Sequence, residues 1–212
     1  DNCKKPFSKN VKANAYRSVN FLYQCLQEEN GELPNYGSND GALFFPFATS
    51  EYRDYRPQLN ALHHLLTGSD LFPESNEEKF WFGKIVITDK LAPIGKVIGT
   101  CSFPNGRYYT VRTVNSFVFP RCGNHKDRPA HADNLHLDYW LNGVNLLQDS
   151  GTYKYNTSKE LQNYFTGSNA HNTVVIEGKD QMLKGSRFIW YFWTQAKKAN
   201  WIETETEYVF NG

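Results

Sequence analysis

The residues best placed to do chemistry in this chain are a histidine at 131 or 136, Asp149 and His171. Neutral imidazole and carboxylate are both accepted by zinc, and such a site usually takes at least three ligands from the protein. Spacing alone leaves the choice between His131 and His136 open. The frame comes from Asn142-Gly143, a pair suited to the positive φ angles of a two-residue type I′ turn, so NLHLDYWL and VNLLQDS are expected to form a β-hairpin. In strict register His136 then faces Asp149 across the ladder. Alternation sets Leu135, Leu137, Tyr139 and Leu141 on one face, expected to be core, and Asn134, His136, Asp138 and Trp140 on the other, expected to be wet. His131 precedes the first strand and His171 opens HNTVVIEG, read as a further strand, so both lie where loops and strand ends converge.

The elements that must position these groups change character along the chain. Apolar positions at helical spacing between Ala13 and Gln27 predict a helix, followed by the polar loop QEENGELPNYGSNDG. A second helix is expected after Pro57, with Leu59, Leu62, Leu65 and Leu66 on one face and Gly68 as its stop. His63 and His64 are neighbours on that helix, so only one can share the leucine face, and both are read as structural. Beyond Lys84 the texture becomes short β-rich runs broken by Pro, Gly and Asn, such as KIVITDK, GRYYTVRTVNSFVF and RFIWYFWTQA. That is the pattern of an antiparallel sheet or sandwich. The expected organisation is mainly β with α: a helical part over 1–70 and an antiparallel β-sandwich over 84–212, incomplete at its C-terminus.

Composition bounds the function. A length of 212 residues is enough for a sizeable core, and the 13 Tyr, 15 Phe and 5 Trp suit both sheet packing and stacking on sugar rings. A net charge of +1 with interspersed signs gives no long-range field toward nucleic acid or a membrane surface, although a local cleft can still be basic. No apolar run approaches the ~20 residues of a membrane span. Cys3, Cys25, Cys101 and Cys122 have no zinc-site spacing, and one or two disulfides are compatible with them, with Cys3 and Cys25 bracketing the first helix. The opening DNCKKPFSKN lacks Met and shows no signal peptide, so a processed or truncated product is expected.

Several motifs then occur in one order: PNYGSNDGA at 34–42, DYRPQL at 54–59, PAHADNLHLDYWLNG at 129–143, LLQDSGTYKY at 146–155, YF at 164–165 and AHNTVVIEGKDQ at 170–181. Together they resemble heparinase II/III-like polysaccharide lyases over nearly the whole chain. The resemblance implies the last helices of an (α/α) toroid followed by an antiparallel β-sandwich. It implies a mainly structural zinc on His131, Asp149 and His171, which displaces His136, and no organic cofactor. It also implies β-elimination on uronic-acid-containing glycans in a periplasmic or extracellular setting, with an acidic polysaccharide as partner. For the chemistry it suggests Tyr155 as an acid/base or substrate contact, and Arg128, Tyr153, Asn39 and Asp40 as further substrate-binding positions. Two departures stand out. Pro129 occupies the position where many active relatives carry a catalytic His, and the toroid Asn, His and Tyr of the family lie upstream of this chain, which is therefore expected to lack half of its active site. A non-catalytic carbohydrate-binding sandwich and a zinc-dependent hydrolase are the rival readings.

Overall fold

The computed structural model describes residues 7–39, 41, 49–74, 77–82 and 89–212. The chain divides into two compact units, Asp1–Leu33 with Leu43–Lys96, and Pro34–Ala42 with Val97–Gly212. Asp40, Cys3 and the KIVIT part of the expected first strand lie outside the described residues.

The first unit is helical. Helix α1 spans Lys9–Cys25, and the Ser8 hydroxyl accepts the Val11 amide at its start. Helix α2 spans Arg56–Thr67, with Pro57 in its first turn and Gly68 closing it at φ 79°. A short α3, Glu77–Phe82, follows. Val19, Tyr23 and Leu26 are buried with Leu59 and Leu66 of the expected leucine face, while Leu62 and Leu65 are half-buried. His63 is the buried member of the adjacent pair. Its Nδ1 lies 2.7 Å from the Ser69 carbonyl and its Nε2 accepts the Ile94 amide at 3.1 Å, so both ring nitrogens are used structurally. His64 is exposed and pairs with Asp70.

The second unit is mainly antiparallel β. Strands β1 (Gly99–Phe103), β2 (Tyr108–Arg112), β3 (Ser116–Pro120), β4 (Leu137–Leu141) and β5 (Val144–Leu147) form one sheet in that order. Two small ladders follow, β6 (Leu183–Lys184) with β7 (Trp190–Tyr191), and β8 (Asn200–Glu203) with β9 (Tyr208–Asn211). Helix α4, Lys159–Thr166, is started by the Ser158 hydroxyl accepting the Leu161 amide. Residues 171–178, expected as a strand, form bends and a single bridge between Ile176 and Lys179. Their backbone partners lie in loops instead, as when the Asn172 carbonyl accepts the Leu137 amide at 2.9 Å. Cys101 and Cys122 are free thiols.

The β4–β5 hairpin turns on Asn142 and Gly143 at φ 49° and 75°, the left-handed pair that a type I′ turn requires. Leu141 pairs with Val144 and Trp140 with Asn145, and a bulge then shifts the register so that Tyr139 pairs with Leu147. The expected faces are reversed. His136, Asp138 and Trp140 are at most 1% exposed, whereas Leu135 and Leu137 are 39% and 36% exposed. Alternation identifies the two faces of a strand but not which one is covered. Here the covered face can be polar because Asp138 accepts from Trp140, Asn145 and the Asp149 amide, and His136 accepts the Asn172 amide.

Candidate metal centre and basic cavity

Three loops converge where β3 and β4 meet and β5 ends. His131 lies in the β3–β4 connection, Asp149 follows β5, and His171 follows the 3-10 turn Ser168–Ala170 behind α4. That turn is anchored at both sides: the Asp180 carboxylate accepts the Ser168 amide at 2.7 Å, and the Ser168 hydroxyl donates to the Ala132 carbonyl at 2.7 Å. Gln181 ties the same loops together through the Asn134 amide and carbonyl. One ligand atom from each of His131, Asp149 and His171 lies within 4.8 Å of the others, and all three residues are buried.

Hydrogen bonds decide which ring nitrogens remain available. The Thr152 hydroxyl donates its one proton to the Gly37 carbonyl at 3.0 Å, so its oxygen accepts from His131 Nε2 at 3.0 Å. This leaves the lone pair on His131 Nδ1. His171 Nδ1 faces Asp149 Oδ1 at 3.1 Å and donates to it, which leaves the lone pair on His171 Nε2. Asp149 Oδ1 also accepts the Gly151 amide at 2.7 Å. His131 Nδ1, His171 Nε2 and Asp149 Oδ2 are buried without a hydrogen-bond partner. Buried lone pairs without a hydrogen-bond partner cost free energy unless something electropositive meets them; His136 Nε2 approaches Asp149 Oδ2 to 3.4 Å without forming a hydrogen bond, and the three residues suit zinc in type and number. The fixing of one nitrogen by a hydrogen bond so that the other can ligate is the usual outer-sphere arrangement of a metal-binding histidine.

The electrostatics agree. Burial pushes the His131 imidazole down to about 4, so the ring is neutral and able to ligate at neutral pH. Burial alone would raise the Asp149 carboxyl, but the hydrogen bond from His171 and the adjacent His136 and His171 rings hold it below the ordinary carboxylate value. His136 Nδ1 accepts the Asn172 amide at 3.2 Å, and its Nε2 lies 3.4 Å from Asp149 Oδ2, so this ring stands behind the carboxylate. Below it Asp138, pushed up to about 6 chiefly by burial, accepts Trp140 Nε1, Asn145 Nδ2 and the Asp149 amide. These bonds explain how the polar face of β4 is buried.

Beside this cluster lies a cavity of about 370 Å³ that shares His131 and Thr152 with it. Among the described residues its walls carry four cationic side chains, Arg128, Lys154, Lys184 and Arg187, with Tyr155 and Phe188, and no carboxylate. The cations rest on rings. Arg128 and Arg187 lie over Phe188 at 5.0 and 5.4 Å, Lys184 lies over Trp190 at 4.1 Å, and Tyr155 stacks on Phe188 at 5.8 Å. Of the substrate positions expected from sequence, Arg128 and Tyr155 line the cavity. Tyr153 is outside its lining and stacks on Phe165 at 5.1 Å, and the Asn39 side chain accepts the Gly41 amide. Lys154, Lys184, Arg187 and Phe188 were not singled out by sequence. Pro129 is buried in the cavity wall.

A family model described as Heparinase II/III-like, C-terminal, matches residues 99–212. Among solved structures, heparan sulfate lyase HepC from Pedobacter heparinus aligns with a TM-score of 0.56 at 16% identity, over 95% of this chain and 28% of that one. A heparinase III structure gives 0.52 at 15% identity over 94% and 29%. A heparinase III gene product with methylated lysines gives 0.55 at 17% identity over 82% and 25%. At these identities the likeness is one of fold, and the chain spans about a quarter of the length of these structures. No curated protein matches the chain.

Proposed function

The chain belongs to the heparinase II/III-like family, and from that premise we propose that its protein is a polysaccharide lyase cleaving uronic-acid-containing glycans by β-elimination, in a periplasmic or extracellular setting. The observation that carries this reading is the cavity whose walls, among the described residues, hold four cations, two aromatic rings and no carboxylate. A uronate bound there has its carboxylate charge countered by Arg128 and its cationic neighbours, which makes the proton on the adjacent ring carbon more acidic. A base removes that proton, the electron pair forms the ring double bond, and the glycosidic oxygen leaves with a proton from an acid. Tyr155 stands on the cavity wall and is our assignment for the group exchanging a proton with substrate. Zinc held by His131, Asp149 and His171 would contribute mainly to folding, by tying three loops together beside the cavity. Among the described residues no helix is long and apolar enough to cross a membrane.

The test is ultraviolet absorbance of the unsaturated product on incubation with alginate, heparan, chondroitin and hyaluronan. Absorbance should rise on at least one, and Tyr155→Phe should slow it at least about 100-fold with binding retained. A second reading is favoured by Pro129, which places no titratable group where the family resemblance calls for a histidine. Binding of an acidic glycan with no absorbance change on any of the four would make this a non-catalytic carbohydrate-binding sandwich.

A further inference from the structure

The proton-rich head of Lys184 is poorly matched within its own fold. Lys184 lies in β6 with its side chain partly buried on the cavity wall. Its ammonium has three donors, yet the hydrogen bond found for it goes to a neutral oxygen, Thr166 Oγ1 at 3.0 Å. The Thr166 hydroxyl in turn donates to the Gln162 carbonyl at 2.8 Å, which holds its oxygen toward the lysine. The face of Trp190 supports the charge from one side at 4.1 Å. Among the described residues no carboxylate comes within ion-pairing distance of Lys184. The acid that acts on it electrostatically, Asp180, accepts the Ser168 amide at 2.7 Å and forms no ion pair with it. Burial pulls the ammonium below its ordinary value, and the charge of Asp180 offsets this only in part.

A cation held by a hydroxyl and a ring, with donors left over and facing a cavity whose described lining carries no carboxylate, is arranged to receive an anion from outside. We propose that Lys184, oriented by Thr166 and Trp190, is a specificity-determining contact that binds an anionic substituent, carboxylate or sulfate ester, of a saccharide in the cavity. This station is separate from the Arg128 and Arg187 pair, which shares Phe188 as its support. The inference rests on reading the cavity as a glycan site. Thr166 and Trp190 are positioning residues, since they act through the ammonium.

The experiment measures binding of three short oligosaccharides to the protein by calorimetry: a polyuronate, a sulfated uronate glycan and a carboxyl-reduced, unsulfated one. Lys184→Met keeps the aliphatic stem and removes the charge. It should weaken binding of the anionic ligands about tenfold, leave the neutral one unchanged, and leave the melting temperature at or above the wild-type value. Lys184→Arg should recover part of the loss, and Thr166→Val should reproduce part of it. A loss on both anionic ligands assigns the contact to the carboxylate, and a loss on the sulfated ligand alone assigns it to the sulfate ester. If Lys184→Met binds all three ligands as wild type does while Arg187→Ala loses affinity, the Lys184 assignment is overturned and the cavity reading stands. If the wild-type protein binds none of the three, both fall.

Discussion

The cluster around Asp149 and the cavity lined by Arg128 share His131 and Thr152, yet one presents buried lone pairs to a cation and the other presents supported cations to an anion. The difference follows from what holds the charged groups. In the cluster, each histidine has one nitrogen committed to a neighbour, so the remaining acceptor is fixed in direction and sealed from water. In the cavity, the cations rest on aromatic faces, which support the charge without neutralising it. A polar site can therefore be prepared for a ligand in two ways, by committing the donor nitrogen of an imidazole so that its acceptor is left over, or by replacing a counter-ion with a ring.

The strongest way to break the contrast is at the sealed site. His171→Ala leaves Asp149 buried with a lost partner and should cost on the order of 3–5 kcal/mol in denaturant unfolding. Elemental analysis should find about one zinc per chain in wild-type protein and a small fraction of that in the variant. Retention of full zinc would remove His171 from the ligand set.

A buried imidazole outside both sites sharpens the comparison. His125 accepts from Arg107 at 2.7 Å and is pushed down to about 4 by burial and by the Arg121 and Arg107 charges. Its ordinary value is near 6.5, so between these two values the unfolded chain binds the extra proton and the folded chain does not. Stability is thus fully present above pH 6.5 and falls as pH drops toward 4, by about 1–3 kcal/mol. Comparing urea midpoints across this range, His125→Gln should show a shallower slope than wild type; an identical slope would place the titration elsewhere.

At the open site the effects are smaller. Arg187→Ala should weaken an acidic oligosaccharide about tenfold, about 1.4 kcal/mol, by calorimetry. Its thermal stability should stay within about 0.5 kcal/mol of wild type, because the side chain is exposed. The mildest change, Asn142→Ala, puts a non-glycine residue without a local polar side chain at φ 49° and should cost about 1 kcal/mol in thermal unfolding, with zinc content unaltered.

Sequence carried the hairpin and its turn, because Asn-Gly has a specific backbone requirement. It did not carry the bulge at Tyr139 and Trp140, which no residue type announces, nor the burial of the His136 face. Hydropathy assigns Asp138 and His136 to solvent, and only the bonds that Asp138 accepts from Trp140, Asn145 and Asp149 reverse that. Helix α4 went unread although Ser158, Leu161, Phe165 and Gly167 carry a start, two apolar positions four apart and a stop. Asp149 and His171 were legible from residue type and hairpin register, but the choice of His131 over His136 came from motif resemblance, since the loop before β4 has no regular spacing to place it. Lys184 and Arg187 were invisible for a related reason: a cation in a loop-rich stretch looks solvated until the ring beneath it is seen.

Among the described residues, β5 is the outer strand of the five-stranded sheet, and its VNLL sequence bears no charge, proline or lysine. Val144, Leu146 and Leu147 are 58%, 52% and 39% exposed. An uncharged apolar margin with open backbone donors and acceptors is a template on which another extended segment can be laid down. The strand that leads directly to Asp149 is thus also where concentrated protein would begin to self-associate, and preserving the site in solution becomes a matter of keeping that margin covered.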